Sequence, residues 1–183
     1  MVEHGPYRVF VRDQDGSGPP VLLLHGYPSS SYDWRELMAR VPGQRTTSFD
    51  FLGFGLSDKP KQHLYSLLAQ ADLAQAVALR HGDEPIFLVA HDMGTSVATE
   101  LLARDLTGRL PFKLGGVLLL NGSIVIERES LTISQKLLRS RLGPIAARLS
   151  NERSFRAQFA RIFSEEHPLS GEEGRQRGEP QET

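Results

Sequence analysis

The chain has 183 residues, a formal charge of −1 and no cysteine. That length holds one domain with a real core and is short for two; the near-neutral charge gives no electrostatic basis for nucleic-acid or membrane partners, and the lack of thiols excludes a disulfide framework, thiolate catalysis and cysteine metal sites. Met1 to Pro6 carries no apolar h-region and the apolar runs are only a few residues long, so a soluble, cytoplasmic chain with no membrane span is expected.

Tyr7 to Arg12 alternates bulky and polar residues and Asp13 to Pro20 is rich in turn formers, which predicts a first strand followed by a turn or hairpin. Val21 to Leu24 reads as a buried strand running into His25-Gly26-Tyr27-Pro28, where the glycine lets the backbone curl and present the N–H of Tyr27 above the sheet. His25 reads as a partly buried imidazole that hydrogen-bonds and shapes this loop, the alternative being a catalytic base. Ser29 to Val41 predicts a short helix with Trp34, Leu37, Met38 and Val41 on one face and Trp34 as a core anchor. Thr46 to Asp50 predicts a third buried strand opening into the loop 51–60. Its Gly53-x-Gly55 pair has neither the Gly-Lys-Ser/Thr of a phosphate loop nor the spacing of a dinucleotide fingerprint. The loop is read instead as a glycine-hinged pocket wall, with Phe51 and Phe54 offering apolar surface and core packing as the alternative for both. Ser66 predicts the N-cap of a helix through His81, with Leu67, Ala71, Ala74, Val77 and Ala78 on its buried side and Gly82 as its stop.

Ile86 to Ala90 is a continuous apolar run of the kind a buried parallel strand shows, and Val97, Ala98, Leu101 and Leu102 repeat at helical spacing, so the chain reverses at His91-Asp92-Met93-Gly94. So sharp a turn needs small neighbours, which Ala90, Gly94 and Thr95 supply. An Asp at that corner has two uses: it can cap the helix, or it can stand as a carboxylate kept ionised by the helix dipole and orphan N–H groups, able to attack carbon. Leu114 to Leu120 predicts one more buried strand, ending at Asn121-Gly122-Ser123. The alternation of strands and helices predicts an α/β protein, a mostly parallel sheet with helices on both faces. Ligands of such sheets bind at the carboxyl ends of the strands, where Tyr27, Phe51, Asp92 and Asn121 fall. No metal-ligand spacing occurs, His91 being too close to Asp92 to chelate with it, and no cofactor is expected.

His25 to Trp34 (HGYPSSSYDW), Asp50 to Pro60 (DFLGFGLSDKP) and His91 to Gly94 (HDMG) resemble the epoxide hydrolase and haloalkane dehalogenase branch of the α/β-hydrolases, and within it the mesoderm-specific transcript (MEST-like) hydrolases. The resemblance implies an α/β-hydrolase fold, truncated before its last strands, with Asp92 as the nucleophile. Asp92 would attack a carbon of a small apolar electrophile, an epoxide or halide, to give an ester of its own side chain. The N–H groups of Tyr27 and Met93 would form the oxyanion hole while a histidine activates water. His25, Gly26, Pro28, Phe51, His91 and Asn121 would shape the pocket. A haloalkane dehalogenase is expected to carry a halide-binding Asn at the position of Tyr27 and a Trp at that of Met93, and an epoxide hydrolase cap tyrosines that polarise the ring oxygen; neither halide donor is present and no tyrosine follows Tyr65, so the pocket is unassigned and the dehalogenase reading is the weaker of the two.

The resemblance also implies a base histidine and an acid downstream of the nucleophile. The one histidine after His91 is His167, in a polar tail spanning 164–183 that is expected to be disordered; Glu127 and Glu129 read as solvated charge at the start of a cap. The expected organisation is therefore the N-terminal part of the hydrolase core over 1–123, the start of a helical cap over 124–163 and the tail, in a truncated chain lacking the catalytic histidine and acid. Two alternatives stand beside it. One is a non-catalytic or partner-dependent module with an open sheet edge at Leu114 to Leu120; the other is a complete small enzyme with His167 as a relocated base. The sequence does not fix an oligomeric state.

Overall fold

Alternating apolar runs and amphipathic segments build one central sheet. The computed structural model describes residues 1–122 and Ser140; the expected cap, the tail, Glu127, Glu129 and His167 lie outside the described residues. Strands β1 (Val2–His4) and β2 (Tyr7–Val9) form an antiparallel hairpin, turned by Gly5 at φ 58°. The predicted strand from Tyr7 to Arg12 is in fact two: the chain leaves the hairpin at Phe10 and enters β3 (Val11–Gln14) in the main sheet. The break has a cause. Phe10 gives its N–H to Ser57 Oγ at 2.9 Å and its carbonyl accepts the Asp50 N–H at 3.0 Å, so its polar groups serve the loop 51–57 and not a ladder.

The main sheet has the order β3-β5-β4-β6-β7, where β4 is Ser17–Leu24, β5 Gln44–Phe49, β6 Ile86–His91 and β7 Leu114–Leu120. Only β3 is antiparallel; the β4–β5, β4–β6 and β6–β7 pairs are parallel. From β4 the chain crosses to β5 through a 3-10 turn (Ser31–Trp34) and α1 (Arg35–Arg40), then returns to β6 on the other side of β4 through α2 (Leu67–Ala78). The segments leaving β4 and β6 thus part in opposite directions, and a crevice opens between their carboxyl ends, where ligands bind in open α/β sheets.

Strand alternation sends the two crossovers to opposite faces. Leu22, Leu24, Leu88 and Ala90 pack with Ala71, Ala74, Val77 and Ala78 of α2 and with Val97, Ala98 and Leu101 of α3 (Met93–Leu106). Leu23 points the other way, into a smaller cluster with Trp34 and Met38. Ser66 caps α2 as expected, its Oγ accepting the Ala69 N–H, and Gly82 at φ 70° ends the 3-10 turn (Leu79–His81) that follows. Several burial expectations fail, that of a buried strand over Leu114–Leu120 among them, since Leu118, Leu119 and Leu120 are exposed. Leu37, Val41 and Leu67 are exposed, because α1 is too short to turn a full apolar stripe inward and Leu67 sits in the first turn of α2, clear of the sheet. Among the described helices none is long and apolar enough to cross a membrane.

Candidate active site

The strand-to-helix corner at Asp92 holds the site together. Asp92 has φ 49° and ψ −118°, a conformation L side chains rarely adopt. Surrounding structure fixes it there: its N–H donates to Leu120 of β7 at 3.1 Å, and its carbonyl accepts both the Thr95 N–H at 3.0 Å and the Thr95 hydroxyl at 2.6 Å. The corner is tight enough to need glycine on both sides. A Cβ on Gly94 would stand 2.6 Å from the Leu24 carbonyl oxygen, and one on Gly26 would stand 2.6 Å from the Asp92 Cβ.

The consequence is a particular carboxylate geometry. Asp92 Oδ1 accepts the Tyr27 N–H at 2.8 Å and the Met93 N–H at 2.6 Å, so two backbone donors from different loops converge on one oxygen. No hydrogen bond from the described residues reaches Oδ2. Position alone left Asp92 as either a cap or a nucleophile. The geometry accommodates both, since Oδ1 caps α3 at Met93 and no described residue hydrogen-bonds Oδ2.

His25 is fully buried and turned away from Asp92. Its Nε2 accepts the Phe51 N–H at 3.0 Å, which leaves Nδ1 to carry the proton and donate to the Gly26 carbonyl at 2.8 Å. Burial pushes its pKa down, so the ring stays neutral with both nitrogens in use. Gly26 and Tyr27 share one peptide group, and that group is planar. By fixing its C=O, His25 also fixes the direction of the Tyr27 N–H toward Asp92. The loop-shaping reading of His25 thus has a concrete geometry.

The other expected site residues are distributed unevenly. Pro28 follows Tyr27 through a cis peptide bond, and the Tyr27 ring is 55% exposed at the rim, edge-on to Phe54 at 6.1 Å between centroids. Phe51 does not line an open wall. Its ring is buried against His25 and Phe49, so core packing claims the side chain and only its backbone serves the site. Half-buried His91 ends β6 opposite Leu120, and Asn121, exposed at φ 52°, continues the strand whose Leu120 carbonyl holds Asp92.

One residue escaped the sequence reading. Asp50 is 2% exposed, and its carboxylate accepts the Ser31 N–H at 2.7 Å on Oδ1 and the Leu56 N–H at 2.7 Å on Oδ2. The available signal was a charged residue ending a buried strand, with Gly55 five residues on. Among the described residues no group of histidines and carboxylates could hold a metal ion. A cavity of about 160 Å³ between the β1–β2 turn and α2, lined by His4, Tyr7, His63 and Leu73 among others, lies apart from Asp92.

A family model described as alpha/beta hydrolase fold matches residues 19–167. The LipZ protein of Mycobacterium tuberculosis (strain ATCC 25618 / H37Rv) is 56% identical over 166 residues, covering 91% of this chain and 58% of that one. The mesoderm-specific transcript homolog protein of Homo sapiens is 41% identical over 169 residues, covering 85% and 50%, and a soluble epoxide hydrolase of Corynebacterium sp. (strain C12) is 36% identical over 98 residues, covering 52% and 34%. Among solved structures, the haloalkane dehalogenase DatA from Agrobacterium tumefaciens C58 superposes with a TM-score of 0.70 at 26% identity, covering 96% of this chain and 59% of that one. The chain thus spans little more than half the length of the curated relatives it matches.

Proposed function

The chain belongs to the alpha/beta hydrolase fold family, and on that premise we propose that it carries the nucleophilic half of a hydrolase in which Asp92 attacks an epoxide-like carbon. One observation supports the reading: both N–H donors of the corner converge on Asp92 Oδ1, and none from the described residues is spent on Oδ2. In the first step Oδ2 forms a bond to a ring carbon, the carbon–oxygen bond of the epoxide breaks, and the released oxygen takes a proton from solvent. The product is an ester of Asp92. In the second step water loses a proton to a base as it adds to the ester carbonyl; charge develops on Oδ1, already in contact with the Tyr27 and Met93 N–H groups before the reaction begins, and collapse breaks the bond from the carbonyl carbon to Oδ2, which leaves with that proton as the diol and restores the carboxylate.

That second step needs a base. His25 cannot serve, because both ring nitrogens are in use and the ring faces Phe51. On this reading the described residues supply the nucleophile and the oxyanion donors, and His25 is not the base. The absence of Asn at 27 and Trp at 93 favours an epoxide over a halide, since halide would need side-chain N–H donors there.

The test is incubation of the 183-residue chain with an aryl epoxide, read by intact mass and peptide mapping. A stable adduct of the mass of one epoxide on the peptide containing Asp92, absent in Asp92→Asn, is expected. Labelling elsewhere, or labelling of Asp92→Asn at the wild-type rate, would sink the reading, and release of diol in many turnovers would show a base other than His25 at work. A second reading, a partner-dependent module, draws on the exposed leucines of edge strand β7. It predicts no adduct from the chain alone.

A further inference from the structure

We propose that Asp50 is a positioning residue for the Tyr27 N–H, tying the loop that carries this donor to the loop 51–57; the proposal rests on the reading of Asp92 as nucleophile. A buried carboxylate is costly unless its oxygens are matched by donors. Here each oxygen takes one backbone N–H, Ser31 from the first loop and Leu56 from the second, so the charge is satisfied only while the two loops lie side by side. The carbonyl of Asp50 accepts the Ser57 hydroxyl at 2.7 Å and its N–H donates to Phe10, which leaves the residue no freedom to follow one loop without the other. Gly55, at φ 49°, closes the turn directly onto the carboxylate; a Cβ there would collide with Asp50 Oδ2.

The route from Asp50 to the reacting carboxylate is short. Asp50 sets the position of its neighbour Phe51, whose N–H donates to His25 Nε2; His25 Nδ1 holds the Gly26 carbonyl; and the same peptide group points the Tyr27 N–H at Asp92 Oδ1. At the other end of the loop, the Ser31 bond fixes where the segment from Tyr27 to the 3-10 turn finishes. The Met93 N–H is held separately by α3, which starts at that residue. Loosening Asp50 should therefore release one of the two donors and spare the other.

This asymmetry makes the test. Because both N–H groups donate to one carboxylate oxygen, the amide resonances of Tyr27 and Met93 should both move when Asp92→Ala removes that oxygen. In Asp50→Asn, whose amide group turns a donor toward a donor, the Tyr27 resonance is expected to lose that response while Met93 keeps it. Alkylation of Asp92 by the aryl epoxide should slow by roughly tenfold to a hundredfold, the scale set by an ångström of misplacement. Ser31→Pro is a milder second variant. It removes one N–H to Asp50 at the first position of the 3-10 turn, after a Ser30 already extended at φ −151° and ψ 179°, where proline is accommodated. Asp13→Asn, which loosens the Arg80 ion pair, should leave both resonances unchanged. A Tyr27 resonance that still responds to Asp92→Ala in both loop variants, or a Met93 resonance that loses its response equally, would overturn the proposal. An unlabelled wild-type chain would instead overturn the reading of Asp92 as nucleophile, with the two amide responses still deciding the role of Asp50.

Discussion

At Asp92 the backbone and the side chain make opposing demands. The corner needs φ 49° and ψ −118°, which glycine adopts freely and an L residue adopts at a cost of about 1–3 kcal/mol. The side chain offsets part of that cost by capping α3. Removing the carboxylate should expose the conformational term alone, so Asp92→Gly is expected to be more stable than Asp92→Ala by about 1 kcal/mol in urea unfolding, although both lose the carboxylate. Equal stabilities would mean the corner relaxes in the alanine variant. His25 makes a second prediction at this scale. Burial lowers its folded pKa below the unfolded value near 6.5, so the unfolded chain binds the proton more readily. Stability from this group is fully present above about pH 6.5 and is lost as pH falls through the folded pKa. His25→Gln should cost about 1–3 kcal/mol at pH 7 by leaving the Phe51 N–H or the Gly26 carbonyl unpartnered. It should also flatten the decline of thermal stability between about pH 7 and pH 5. His81, whose pKa burial also lowers, contributes in the same window, and His81→Gln should flatten the decline separately.

The strand-turn-helix unit β6–α3 owes its sharpness to glycine at the points of closest approach, Gly94 within the unit and Gly26 facing it. Gly94→Ala would drive a Cβ to 2.6 Å from the Leu24 carbonyl oxygen and 2.8 Å from that of His25, and backbone cannot swing aside as a side chain can. The variant should lose about 1–3 kcal/mol of stability. Ser66→Ala should lose about 1 kcal/mol through the cap of α2, without change in Asp92 alkylation. Chemical denaturation of both, with alkylation rates alongside, separates the two units. These features were legible because they are local: a small-residue corner, a Ser before a helical run, a glycine after a strand. Asp50 and the divided first strand were not legible. The hydrogen bonds that decide them join Phe10 to Ser57 and Asp50 to Ser31, residues far apart in the chain, and neither end carries a pattern of its own. Phe51 was misread for a related reason, since an aromatic residue at a strand end looks the same whether it faces a pocket or a core.

Across the whole sheet, the two faces are covered unequally, and this the sequence concealed. Apolar runs such as Leu114 to Leu120 predict burial on both sides, but burial depends on what packs against them. One face lies under α2 and α3. Among the described residues the other has only the 3-10 turn and α1 above β4 and β5, and Phe87 at 38%, Leu118 at 53% and Leu120 at 36% remain exposed on β6 and β7. The register places these three on one face: Phe87 lies opposite Gly116, Val89 opposite Leu118 and His91 opposite Leu120. Gly115 and Gly116 lie against the Phe87 ring, so no side chain of β7 shields it. An apolar strip of this kind beside a strand edge that no described residue pairs favours association. The 183-residue chain should therefore bind an apolar reporter dye and sediment with concentration-dependent mass. Leu118→Lys, altering a side chain already half in water, should reduce both effects while changing unfolding free energy by less than about 0.5 kcal/mol. A Leu118→Lys chain that unfolds markedly more easily would mean that Leu118 is packed in solution against something that holds the sheet together, and the exposed face would then have to be sought elsewhere. Because Leu120 also gives its carbonyl to the Asp92 N–H, the strip runs up to the Asp92 corner.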